Sequence, residues 1–215
     1  MGIKMSDINK LEEMDFAALI SSRICHDVVG PVGAIFNGLE VLEDDDDEQV
    51  KQYAMDVIRR NTKAAWARLE FARLAFGAAG SAGNDIPMNK IQDLGNAILE
   101  EKHQVNWTSE LDFVPKTTAK LALNLLVIAI TTIPRGGVVE MNVKGPLEKP
   151  EILVNTKGDG AKCPERVPAI LQGQYAEEID ALIIQPYFTY RLLEDGKCTI
   201  SIDQGENEVN FSIKS

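Results

Sequence analysis

The chain has 215 residues, a formal net charge of −11 and three cysteines, a length that suits one or two domains with a real core. Its acidity argues against nucleic acid or an anionic membrane as the main partner. No uninterrupted apolar run reaches the ~18 residues of a membrane span, the N-terminus shows no signal-type apolar segment, and Cys25, Cys163 and Cys198 are too scattered for a disulfide framework or a zinc site, so a cytoplasmic setting is expected.

A first helix is predicted over residues 15–42, with Asp15 as its N-cap. At about 100° per residue, Phe16, Ile20, Ile24, Val28, Ile35, Leu39 and Leu42 form one apolar stripe. His26 falls away from that stripe and is expected to face solvent. Ser22, Arg23, Val29 and Gly30 lie one turn from it, and Gly33 two turns on. Gly30, Pro31 and Gly33 are poor helix residues: each Gly costs roughly 1 kcal/mol against Ala and the Pro about 3. A local deficit of roughly 5 kcal/mol rivals the stability of a whole domain. Sequences keep such inconsistency mostly where a site needs it. The small residues leave the imidazole open to a second protein's backbone, and Pro31, lacking an N–H, is expected to bend the helix just past it. An exposed imidazole is largely neutral at pH 7 and offers a free ring nitrogen, a nucleophile or phosphate carrier. Cys25 is adjacent, but neighbouring helix positions point about 100° apart, which argues against a joint thiol site.

Residues 43–48, an acidic run, are expected to form a solvated turn that also favours the start of the next helix. That helix is predicted over 49–76. Arg59, Arg60, Lys63, Arg68 and Arg73 give it a basic face. Two long helices joined by a short turn make an antiparallel hairpin. Such a hairpin buries one side of each helix, so a homodimer closing a four-helix bundle is expected. Small residues over 77–83 mark a hinge, dividing the chain into residues 1–78, a hinge at 79–84, and an α/β domain at 85–215. Within the last, helices are predicted over 90–102, from Pro115 at the N1 position through 133, over 164–171 and over 176–193. Strands are predicted over 104–108, 137–143 and 151–155, with a hairpin of 197–202 and 208–213. The expected class is α+β, the hairpin followed by a sheet with helices on one face. His103, just before a strand, is expected to be exposed and inert.

His26-Asp27-x-x-x-Pro31 resembles the phosphoacceptor motif of sensor histidine kinases, and the hairpin followed by an α/β sandwich resembles their dimerisation and ATP-binding domains. The runs His26 to Ile35 and Ile133-Pro-Arg-Gly-Gly137 are most similar to the dimeric histidine phosphotransferases of alphaproteobacteria. The chain departs from the kinase pattern at three places. Ile128 stands where the resemblance implies a magnesium-holding Asn, and an isoleucine has no lone pair for a hard cation. Thr156 stands where the adenine-accepting Asp belongs. Gln185-Pro-Tyr-Phe-Thr-Tyr190 replaces a phosphate-cradling glycine-rich turn, with Pro186 lacking an N–H and two aromatic rings in the phosphate space.

The resemblance therefore implies a phosphotransferase that does not use ATP directly and passes a phosphoryl group between receiver-domain aspartates. His26 would carry the group, Asp27 would orient the ring and Arg23 would steady the phosphoryl oxygens. Receivers, including that of a hybrid histidine kinase, would dock near Ser22, Gly30, Gly33 and Asn37, with the C-terminal domain adding contacts. The receiver would supply Mg²⁺, and no cofactor or metal is expected on this chain. A dimeric receiver-binding scaffold without phosphotransfer and an ATP-dependent sensor kinase are the alternatives.

Overall fold

The computed structural model describes residues 10–77 and 85–214. The expected hinge at 79–84 lies outside the described residues. Two long helices, α1 (Glu13–Asp44) and α2 (Glu48–Ala75), form the antiparallel hairpin. Asp15 is not the N-cap: Glu12 holds that position in extended backbone with no side-chain cap, and Asp15 lies in the first turn. There its carboxylate still favours the positive end of the helix dipole. The acidic turn is more specific than a solvated run. Asp47 caps α2 by accepting from the backbone N–H of Gln49 at 2.7 Å and of Val50 at 3.4 Å, leaving fewer orphan donors at that terminus.

Helix α1 continues through Pro31, whose ring is buried together with Gly38 on the side facing α2. The two helices approach closely there, since a Cβ on Gly38 would lie 2.8 Å from Ile58 Cγ1. Of the predicted stripe, Ile20, Ile24, Val28, Ile35 and Leu42 are half-buried as expected, but Leu39 is exposed. By length and composition alone, α1 is long and apolar enough to cross a membrane. Arg23, His26 and Asp27 interrupt its apolar positions, so the sequence shows no uninterrupted apolar run there.

The rest of the chain comprises β1 (Ile86–Pro87), α3 (Met88–Ala97), β2 (His103–Ser109), β3 (Phe113–Val114), α4 (Lys116–Thr131), β4 (Gly137–Lys144), β5 (Glu151–Lys157), α5 (Arg166–Leu171), α6 (Ile184–Asp195), β6 (Thr199–Gln204) and β7 (Glu208–Lys214). Five strands form a sheet in the order β2-β4-β5-β7-β6, parallel between β2 and β4 and antiparallel elsewhere, and β1 pairs with β3 in a small separate ladder. Alternation sets the register: Val139, Met141 and Val143, Ile152 and Val154, and Val209, Phe211 and Ile213 all point to one buried face. Helix α4, buried along nearly all its length, fills that face through Leu121, Leu125, Ile128 and Ala129. Phe71, Leu74 and Ala75 at the end of α2 belong to the same core.

Several predicted boundaries shift. Pro115 is the N-cap of α4 rather than its first helical residue. Helix α3 begins and ends earlier than the 90–102 expected. The run 176–183 is not helical: Asp180 Oδ1 accepts from the N–H groups of Leu182 and Ile183 in a turn, and α6 starts after it at Ile184. Tyr175, Ile179 and Ile183 instead pack with Ile170, Tyr187 and Tyr190 in a second core, against which Leu11, Phe16, Leu19 and Ile20 of the N-terminal segment rest.

Candidate functional site

The middle of α1 presents three different surfaces, and the helical repeat explains why. Taking His26 as the origin, Ser22, Gly30, Gly33 and Asn37 fall within about 40° of it, and all five are exposed. Ile20, Ile24, Pro31, Ile35 and Gly38 fall on the side facing α2. A third set, Val29, Val32, Phe36 and Leu39, is spaced by three and four residues and is 47–66% exposed. This last stripe was legible in its spacing but was masked by the stronger one beside it. On α2, Trp66 and Leu69 are likewise exposed, and their helical phase puts them on the same side of the hairpin as Val29 to Leu39.

The His26 side chain is 86% exposed. A Cβ added to Gly30 or Gly33 would meet nothing within 4 Å, so both glycines face open space beside the ring. Asp27 is not idle. Its Oδ2 accepts from Arg23 Nε at 3.0 Å, while its Oδ1 lies 3.5 Å from His26 Nδ1. The second distance exceeds an ordinary hydrogen bond, yet the carboxylate is held on the Nδ1 side of the ring. Arg23, one turn earlier, thus fixes the carboxylate and presents its guanidinium close to the ring.

On the Arg23 side the α/β unit rises next to the helix. A groove of about 410 Å³ runs between them, lined by Arg23, Val127, Thr131, Arg166, Leu182 and Gln185. Leu182 is 81% exposed at its edge, and Arg166 faces Asp180 at 3.5 Å. A smaller cleft lies under Asp27, with Arg68, Glu100 and His103 among its walls. His103 corrects the expectation of an exposed residue. It is buried as the first residue of β2, and its Nε2–H donates to the Ile133 carbonyl at 3.1 Å. A lone His before a strand reads as polar surface. The carbonyl that claims it lies thirty residues away and left no local signal.

The positions that the kinase resemblance assigns to nucleotide binding are filled from within. Ile128 is buried in the core. Thr156 is fully buried, its hydroxyl 2.8 Å from Thr132 Oγ1 and donating to the Val209 carbonyl at 3.1 Å. Its hydrogen bonding is satisfied internally, leaving nothing for an adenine amine. Pro186, Tyr187 and Phe188 belong to the first turns of α6 and are buried. Mg-ATP does not fit these residues. Among the described residues, no three His, Cys, Asp or Glu side chains gather as metal ligands.

Residues 88–208 match the family model of the histidine phosphotransferase C-terminal domain. The protein phosphotransferase ChpT of Brucella abortus (strain 2308) is 39% identical over 204 residues, covering 94% of this chain and 96% of the relative. A bacterial phosphotransferase of solved structure superposes with a TM-score of 0.85 at 35% identity, covering 98% of this chain and all of the other. A histidine kinase domain from Erythrobacter litoralis EL346 gives a TM-score of 0.49 at 16% identity, covering 86% of this chain and 92% of that one.

Proposed function

The chain belongs to the histidine phosphotransferase family, and from that premise we propose how its residues carry the phosphoryl group. The protein is a phosphotransferase of a phosphorelay whose partners are response regulators. In our reading His26 is the carrier, and the observation that supports this most is its exposed ring, flanked by open glycines and held by the Arg23–Asp27 pair. The Nε2 lone pair attacks the phosphorus of an aspartyl phosphate on the donor receiver. The P–O bond to that carboxylate breaks, and the aspartate leaves as its anion. A second receiver's aspartate then reverses the step, and the nitrogen recovers its lone pair. Asp27 stabilises the Nδ1–H form and the charge that develops on the ring, and Arg23 meets the phosphoryl oxygens. Phosphoryl transfer depends chiefly on positioning and charge stabilisation, so an accessible imidazole suffices on this side.

The receivers, one of them on a hybrid histidine kinase, dock over Ser22, Gly30, Gly33 and Asn37. Their far edge meets the groove between Arg23 and Arg166. They bring the Mg²⁺, and this chain contributes no cofactor. The exposed side formed by Val29, Val32, Phe36, Leu39, Trp66 and Leu69 closes a four-helix bundle with a second copy. Functionally the chain divides at residues 79–84 into a hairpin at 1–78 and an α/β domain at 85–215. Three free cysteines suit a reducing cytoplasm.

The test is relay between two purified receivers. His26→Ala is expected to reduce transfer to the level without protein, with stability changed by less than about 0.5 kcal/mol because the side chain is exposed. Relay at the wild-type rate in that variant would favour a scaffold.

A further inference from the structure

Where the hairpin meets the α/β unit, polar side chains are buried in an otherwise apolar contact. Asn124 of α4 is fully buried, and its Nδ2 donates to the Lys120 carbonyl at 2.9 Å and to the Ala75 carbonyl, at the last residue of α2, at 3.1 Å. Its Oδ1 accepts from Gln185 Nε2 of α6 at 2.9 Å. One amide therefore ties three helices together, with every hydrogen-bonding group named here satisfied. A second set of contacts lies at the same open end of the hairpin, where α1 begins and α2 ends. Phe16 of α1 stacks on Phe188 at a centroid distance of 5.9 Å and meets Tyr187 edge-on, and Phe76 meets Phe188 at 5.3 Å. The Tyr187 hydroxyl accepts from the Leu11 N–H at 3.1 Å. Arg191 pairs with Glu13 at 3.1 Å while covering the Phe16 ring.

Both sets converge on the first turns of α6, where Gln185 is itself part of the groove wall. A receiver bonded to His26 touches the hairpin, and the groove adds Arg166 and Leu182 only if the α/β unit stays where it is. We propose that Asn124 and Gln185 are positioning residues. They hold the α/β unit against the hairpin, so that His26 and the far wall of the groove form one preassembled receiver-binding surface. The proposal rests on the relay reading above. Amide side chains suit this task because they fix geometry: an apolar contact tolerates sliding, whereas the two bonds that join Asn124 to α2 and to α6 are lost when those helices shift against α4. The sequence carried part of the signal, since Gln185 opens the run that departs from the kinase pattern.

The experiment compares wild-type protein with Gln185→Met, which keeps the chain length but cannot donate to Asn124, and with Phe16→Ala, which loosens the aromatic contact between α1 and α6 and leaves the polar triad intact. Three quantities are read: KM and kcat for transfer from a phosphorylated receiver, the rate at which acetyl phosphate labels His26, and the distance distribution between spin labels at Lys63→Cys and Lys144→Cys in a background with Cys25 and Cys198 replaced by Ser and Cys163 by Ala. Apparent affinity scales with the fraction of molecules in the competent pose, so a drop of that fraction to about a tenth raises KM about tenfold. Both variants are expected to show broader distances, a raised KM, a near-normal kcat and unchanged labelling by acetyl phosphate, which needs no docking surface. A broadened distribution with wild-type KM overturns the proposal, as does an unchanged distribution or a loss confined to kcat. If Gln185→Met does not fold, Phe16→Ala decides alone on the same criteria. Absence of receiver-dependent transfer in the wild-type protein would overturn the relay reading itself, a result distinct from wild-type transfer with indifferent variants.

Discussion

A carboxylate next to an imidazole in sequence bears on the ring through whichever atom comes nearest, and here that atom is Asp27 Oδ1, 3.5 Å from the Nδ1 of His26, the carrier in our proposal. Adjacent helix positions diverge by about 100°, which in sequence made a role for Asp27 look strained. The missing part was Arg23, which turns the carboxylate by holding its other oxygen. Asp27→Ala is expected to slow transfer roughly fivefold, the equivalent of about 1 kcal/mol of lost orientation. Its stability should fall by less than about 1 kcal/mol, since the pair is half-buried and still in contact with solvent; stopped-flow transfer and thermal melts check the two halves. Cysteines divide in the same way. Cys25 is exposed, whereas Cys163 is buried and burial pushes its thiol up to about 11. A thiol reagent at pH 8 should therefore label Cys25 and spare Cys163 in the folded protein. The raised thiol also sets a sign: the unfolded chain releases this proton at a lower pH than the folded chain. Its contribution to stability is thus intact at neutral pH and is lost as pH rises from the ordinary thiol range toward about 11. Denaturant melts across that interval would check the direction.

At the level of single elements, α1 uses one residue type for two opposite purposes. Gly38 is buried where α1 and α2 nearly touch, and a methyl there would collide with Ile58. Gly30 faces open space. Gly38→Ala is expected to destabilise the hairpin by about 1–3 kcal/mol through overpacking. Gly30→Ala should stabilise it by about 0.5–1 kcal/mol by favouring helix, yet slow relay by placing a methyl under the docking receiver. Opposite shifts in melting temperature, with relay rates measured alongside, separate the two. The hairpin and the five sheet strands were legible because their apolar periods are long and regular. The 176–183 segment was not. Its composition suits a helix, and only the tertiary burial of Tyr175, Ile179 and Ile183 gives the chain a reason to stay irregular through the Asp180 turn. The two-residue strands β1 and β3 are too short to carry a period at all. Of the site, the face around His26 was readable from spacing. Arg166, Leu182 and the bonds of Gln185 were not, because they come from parts of the chain more than a hundred residues away.

For the molecule as a whole, the unsatisfied surface is the side bearing Val29, Val32, Phe36 and Leu39. Apolar residues in such a stripe normally mark a protein contact. The wild-type protein is expected to dimerise through this side, and Val32→Glu combined with Phe36→Glu to leave a 23.6 kDa monomer, read by light scattering, while His26 stays accessible on its own face. The sheet carries a different consequence. Its one parallel pair, β2 with β4, joins strands separated in the chain by β3 and α4. Unlike the hairpin of β6 and β7, these two strands cannot zip together locally, because the crossover helix must first lie across the face they share. Folding of this half of the protein thus waits on a single hydrophobic segment. The edge strand β2 also holds His103 and borders the cleft beneath Asp27, so the α/β wall is expected to form later in folding than the helical hairpin that bears His26.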